Sequence, residues 1–156
     1  MQDIPSFAPA PLRYLDDLQP GERFASGEHH LDEAQIRAFA LQFDPQPFHL
    51  DDAAARGTLF GGLAASGWHT AALTMRLLVD SVPLAGGLIG AGGDLSWPRP
   101  ARPGDVLRVD TEIVSVTPSR SRPERGMVVV KSQTSNQHGD VVQQAVYTLV
   151  VPRRPA

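Results

Sequence analysis

The stretch Phe43-Asp44-Pro45-Gln46-Pro47-Phe48-His49-Leu50-Asp51 sets a carboxylate and an imidazole five residues apart in a segment whose backbone two prolines restrict. An Asp and a neutral His that converge on one water can take a proton from it and return one to a neighbouring carbon. Adding water to an activated double bond requires this. Taken alone, the same residues allow a plainer account, with Asp44 ending a helix and His49 an ordinary polar loop residue. Shortly after comes Phe60-Gly61-Gly62-Leu63, where two glycines lead into an apolar run. Glycines let backbone N–H groups face a ligand, and a helix N-terminus adds partial positive charge, so an oxyanion such as a polarised thioester carbonyl could sit there. The alternative is a tight turn that packs closely into the helix.

These groups must be positioned by flanking elements. Between residues 31 and 43, Ile36, Phe39, Ala40 and Phe43 fall at i, i+3, i+4 and i+7, and Asp32 with Gln35 three residues later resembles a capping box. That predicts an amphipathic helix stopped by Pro45. From residue 62 to 79 nearly every position is apolar or small, the pattern of a helix buried on most of its circumference. Beyond Gly87 the period becomes two: 107–113 alternates, and 127–135 and 141–151 are Val- and Thr-rich runs joined by the turn at 136–140. With 88–97 and a short run at 23–28, these strands suffice to cover one long helix. The expectation is an α+β domain, a curved antiparallel sheet around a central helix.

The chain has 156 residues, 42% of them hydrophobic, and a net charge of −3. A compact domain of this size buries roughly 70% of the surface its unfolded chain exposes, so it needs no metal or disulfide staple. With no cysteine, thiol nucleophiles, disulfides and thiolate metal sites are excluded. No internal repeat or low-complexity tract divides the sequence, which reads as a single domain over 1–156 with loose ends at 1–11 and 152–156. The first residues lack the basic and apolar regions of a signal peptide, and the longest apolar stretch is too short and interrupted to span a bilayer. The expected location is cytoplasmic, with no membrane and, given the mild acidity, no nucleic acid as partner.

Three blocks occur in a telling order: Ala38-Phe-Ala-Leu-Gln-Phe-Asp-Pro-Gln-Pro-Phe-His-Leu-Asp51, Leu59-Phe-Gly-Gly-Leu-Ala-Ala-Ser66, and Leu95-Ser-Trp-Pro-Arg-Pro-Ala-Arg-Pro-Gly-Asp-Val106. Together they resemble the signatures of the MaoC-like dehydratases, relatives of (R)-specific enoyl-CoA hydratase, over about residues 32–151. The D-x-N-P-x-H-x-D pattern of that family is matched at Asp44, Pro47, His49 and Asp51, with Gln46 where the family has Asn. The resemblance implies a hotdog fold, a homodimer or higher homo-oligomer, and an acyl-CoA or acyl-carrier thioester as substrate in fatty acid metabolism. It implies no metal and no cofactor beyond coenzyme A as part of the substrate. By the same resemblance, Asp44 and His49 are the acid/base pair around the catalytic water. The backbone N–H of Gly61, with Gly62, is the oxyanion donor, and Gln46 is a substrate-side residue.

The reaction so expected is reversible hydration of a trans-2-enoyl thioester to a 3-hydroxyacyl thioester of R configuration. Two rivals are a hotdog thioesterase, against which the Asp-x₄-His segment speaks, and a non-catalytic acyl-thioester binding subunit, for which the departure at Gln46 leaves room. Other residues read more plainly. His69 is expected as a satisfied, partly buried histidine rather than a third catalytic group. Arg120, Arg122 and Arg125 could hold coenzyme A phosphates but better suit a solvated turn. Trp68 and Trp97 could line an acyl tunnel, although aromatics at such positions usually belong to the core. Asp51 and Asp52 open a short helical turn, and His29 and His30 have no metal-ligand partner at a recognisable spacing.

Overall fold

The structure is a computed structural model that describes residues 10–156. A 3₁₀ turn (Leu15–Asp17) precedes β1 (Arg23–Ala25) and β2 (His29–His30). Next come α1 (Glu33–Phe43), α2 (Pro47–Leu50), α3 (Asp52–Arg56) and α4 (Gly67–Ser81), and then β3 (Ile89–Ser96), β4 (Val106–Pro118), β5 (Arg125–Ser135) and β6 (Val141–Pro152). All strand pairings are antiparallel, in the order β1-β4-β5-β6-β3, with β2 also on β4. Period-two burial runs along β5, where Gly126, Val128, Val130, Ser132 and Thr134 turn inward and the alternate residues face out.

Helix α1 forms as its pattern demands: Asp32 caps it by accepting from the Gln35 backbone N–H at 2.8 Å, and Ile36 and Ala40 are buried. The capping box is half closed, because the Gln35 amide donates to the His30 carbonyl at 3.0 Å and leaves the Asp32 backbone N–H alone. The 44–51 segment is not wholly a loop. Pro47 occupies the first position of helical turn α2, where its missing N–H costs nothing, and Asp51 caps α3 as expected.

The central helix differs from the expectation in two ways. It begins at Gly67, capped by Ser66, five residues after the expected start, because residues 57–66 are an irregular crossing held from outside. It is also not buried all round: His69, Thr70, Thr74, Leu77 and Leu78 face the sheet, while Trp68 is 60% and Val79 53% exposed. A sheet laid on one side of a helix covers only one of its faces.

The core has two apolar clusters. The larger gathers Leu15, Leu18, Leu77, Leu78, Val82 and Leu84 against Val109, Ile113, Val128, Val130, Leu149 and Val151 of the sheet. The smaller unites Leu31, Ile36, Leu63, Ala65, Ala101, Leu107 and Val142. The end expected to be loose is tied down: Arg153 donates to Asp16 at 2.8 Å and Arg154 to Asp17 at 2.6 Å, and the Arg153 backbone N–H bonds the Glu124 carbonyl. The other expected loose end lies mostly outside the described residues. Among the described residues no helix is long and apolar enough to cross a membrane.

Candidate active site

Asp44 ends α1 as its C-cap, its N–H bonded to the Ala40 carbonyl at 2.9 Å. Three residues on, α2 begins and lifts His49 back towards it, so that His49 Nε2 lies 3.3 Å from Asp44 Oδ2. On the other side of the ring, Nδ1 is 2.7 Å from the Ala64 carbonyl oxygen. A carbonyl only accepts, so Nδ1 carries a hydrogen, and in the neutral tautomer that this fixes the lone pair sits at Nε2, on the side of Asp44. His49 is 4% exposed and sits beside Phe48, whose ring meets it edge-on at 4.5 Å.

Ser66, which the sequence reading passed over, holds the carboxylate: its hydroxyl donates to Asp44 Oδ2 at 2.7 Å and also accepts from the Trp68 N–H at 3.2 Å. Gln46 donates to the other carboxylate oxygen. Gln46 therefore folds back onto Asp44, and it is not on the wall of the neighbouring cleft. Burial pushes the Asp44 carboxyl up, but the hydrogen bonds donated by Ser66 and Gln46 outweigh it and hold the group below its ordinary value. Asp44 is an anion with three neighbours, and His49 presents the edge through which it reaches the cleft.

That cleft encloses about 390 Å³ and is walled by His49, Phe60, Ala65, Gly67, Thr70 and Trp97, among others. Gly67 is the first residue of α4, where an amide has no intrahelical acceptor, so the helix brings its positive end to the cavity that holds the imidazole. This corrects the expectation for Gly61 and Gly62. The Gly61 N–H is spent on the Thr58 carbonyl at 3.1 Å in a left-handed turn (φ 65°), and Gly62 lies against Asp52 and Arg102, away from the cleft. The signal that would have found the true helix start is Ser66-Gly67, a favoured N-cap residue followed by glycine, hidden in the apolar run before it.

The crossing from α3 to α4 is fixed by Arg102. Its guanidinium donates to the carbonyls of Phe60, Gly62 and Leu63, the second at 2.8 Å, while Asp52 accepts from the Leu63 N–H at 3.0 Å. One side chain thus sets a segment without regular structure that supplies both Ala64 to His49 and Ser66 to Asp44.

The remaining candidates separate. His69 is buried and stacked on Phe39 at 4.6 Å, with its Nδ1 unbonded among the described residues, so the satisfied histidine of the sequence reading is not found. Burial pushes this imidazole down to about 4, with the His29 ring adding to the effect. Arg120, Arg122 and Arg125 are exposed where β4 passes into β5, beside the cluster at the C-terminal end of α4 and away from the cleft. Trp97 lines the cleft, and Trp68 packs against it edge-on at 5.2 Å; neither is core.

An antiparallel sheet on one long helix is the hotdog architecture, here with a carboxylate–imidazole pair near the N-terminus of the helix. The family model described as "MaoC like domain" matches residues 17–137, and the chain belongs to that family. A crystal structure of the MaoC-like dehydratase from Rhodospirillum rubrum is 59% identical, with a TM-score of 0.90, and the match covers 92% of this chain and 99% of that one. The (R)-specific enoyl-CoA hydratase of the same organism is 30% identical over 144 residues, 92% of this chain and 94% of the relative. The unliganded R-hydratase structure from Pseudomonas aeruginosa is 26% identical with a TM-score of 0.72, covering 90% of this chain and 86% of that one.

Proposed function

We propose that this chain hydrates a trans-2-enoyl thioester, reversibly, to the (R)-3-hydroxyacyl thioester, acting on coenzyme A or acyl-carrier substrates. The observation that carries this reading is the bond from His49 Nδ1 to the Ala64 carbonyl, which leaves Nε2 free as an acceptor facing Asp44, on the wall that also holds the first amide of α4. A water lodged at the Asp44–His49 edge gives one proton to that pair while its oxygen bonds C3 of the substrate. The double-bond electrons move to the thioester oxygen, and the enolate so formed is received by the Gly67 N–H. Return of the proton to C2 completes the addition.

The relatives named as enoyl-CoA hydratase and R-hydratase support the same reaction. Assembly as a homodimer in the cytoplasm belongs to this reading: among the described residues β3 is an exposed edge bonded only to β6, and α4 leaves Trp68 and Val79 uncovered. Incubation with crotonyl-CoA is the test. The enoyl absorbance is expected to fall, with chiral analysis giving the R product, and the activity is expected to vanish in Asp44→Ala and His49→Ala. Release of free coenzyme A would replace this reading by thioester hydrolysis, and binding without turnover would leave an acyl-thioester binding subunit.

A further inference from the structure

Trp97 follows directly on β3 and, although 39% exposed, lines the cleft together with Thr70 of α4 and Val142 of β6. Its position is locked from two sides. A side chain on Gly67 would have its first carbon only 2.7 Å from the indole, so the ring lies flat on helix backbone that only glycine leaves bare. On the opposite edge, the indole N–H donates to Gln143 Oε1 at 2.9 Å. Gln143 is fully buried on β6, and its own Nε2 has no partner among the described residues. Swinging the indole away would strip the bond that Gln143 Oε1 accepts and leave that oxygen unsatisfied in the interior. A wall held in this way does not yield to a longer ligand as a leucine or methionine would.

We infer that Trp97, pinned between Gly67 and Gln143, is the stop that limits the acyl group of the substrate to a short chain. The inference rests on the thioester reading of the same cleft and names its substrate class. The cleft of about 390 Å³ must admit the thioester and the end of its carrier arm as well as the acyl group. Its charged rim at Arg99, which also borders the polar cavity beyond Pro100, suits the carrier. The acyl chain then runs the other way, along α4 between Thr70 and Trp97. Trp97 is the specificity-determining residue, and Gln143 is a positioning residue that acts through it.

The test measures kcat/KM of the full chain for trans-2-butenoyl-CoA and trans-2-octenoyl-CoA. In parallel, calorimetry measures the Kd of butyryl-CoA and octanoyl-CoA, which need no turnover. The native protein is expected to favour the four-carbon ligand by a hundredfold or more in both measurements. Trp97→Ala is expected to cut that preference at least tenfold by improving the eight-carbon ligand, and Gln143→Leu, which frees the indole without enlarging the cleft, is expected to cut it less. Trp97→Leu serves where the alanine variant fails to fold. Equal handling of both lengths by the native protein, or a preference unchanged in the Trp97 variants, overturns the inference. Length discrimination in binding without hydration keeps the stop and removes the hydratase reading, whereas hydration without discrimination does the reverse.

Discussion

At its C-terminal end α4 presses Leu77, Leu78 and Val82 into strands of Val, Ile and Leu, whereas its first two turns bury Ser66, His69, Thr70 and Thr74 beside a small second cluster. The Thr74 hydroxyl meets that of Thr134 at 2.7 Å where one regime gives way to the other. The apolar end follows the ordinary rule that buried area stabilises. At the polar end, groups that cost free energy to bury are gathered around Ser66, which holds Asp44, and the stability of the far end offsets that cost. The helix is a lever with a rigid end and a chemical end, and substitutions should sort accordingly.

The widest split is expected from Asp44→Asn and His49→Ala, each lowering kcat by roughly 10²–10⁴-fold with little change in Tm, as befits proton-transfer groups. Steady-state rates beside thermal melts decide this; a large fall in Tm with either variant would make the pair structural. Conversely, Leu78→Ala at the apolar end should cost about 2–5 kcal/mol in urea unfolding while the folded fraction keeps its kcat.

His69 tests whether the polar end is a liability in acid. Its folded-state value near 4 lies below the unfolded 6.5, so between these pH values the unfolded chain binds the extra proton. Stability is complete above about pH 6.5 and declines as pH falls towards 4, by at most about 1.4 kcal/mol per pH unit. His69→Phe, which keeps the stack on Phe39, should flatten that decline when unfolding is compared at pH 7 and pH 5. An unchanged slope would place the acid sensitivity elsewhere.

Ser66→Ala gives the smallest effect and the one most evenly shared between the two roles. It removes an N-cap worth about 1 kcal/mol together with a donor to Asp44. Stability should drop by that amount and the carboxyl should titrate at higher pH, which NMR of the Asp44 side chain would register.

Periodicity placed α1 and the long strands to within a few residues, because each presents one face to the core and repeats its apolar positions accordingly. Asp44 and His49 were readable because they lie five residues apart, with a proline-rich turn to bring them together. The start of the central helix was misplaced for an equally local reason. An apolar run from Leu63 to Ala65 looks the same in a helix and in a buried crossing, and the structure makes it a crossing, with Ala64 N–H bonded to the Phe48 carbonyl and Ala65 N–H to that of Ala101. Ser66 went unnoticed because its partner Asp44 is 22 residues away. Arg102 read only as part of a family motif, since its acceptors are about 40 residues distant.

The sequence by itself determined which segments are helix and strand and which carboxylate and imidazole would lie side by side, since both follow from contacts between near neighbours in the chain. Only the tertiary structure decided which amide opens the central helix, which hydroxyl and guanidinium hold the pair in place, and which cleft the indole of Trp97 lines. Those are long-range hydrogen bonds and packing contacts, formed between residues whose order along the chain says nothing of their meeting.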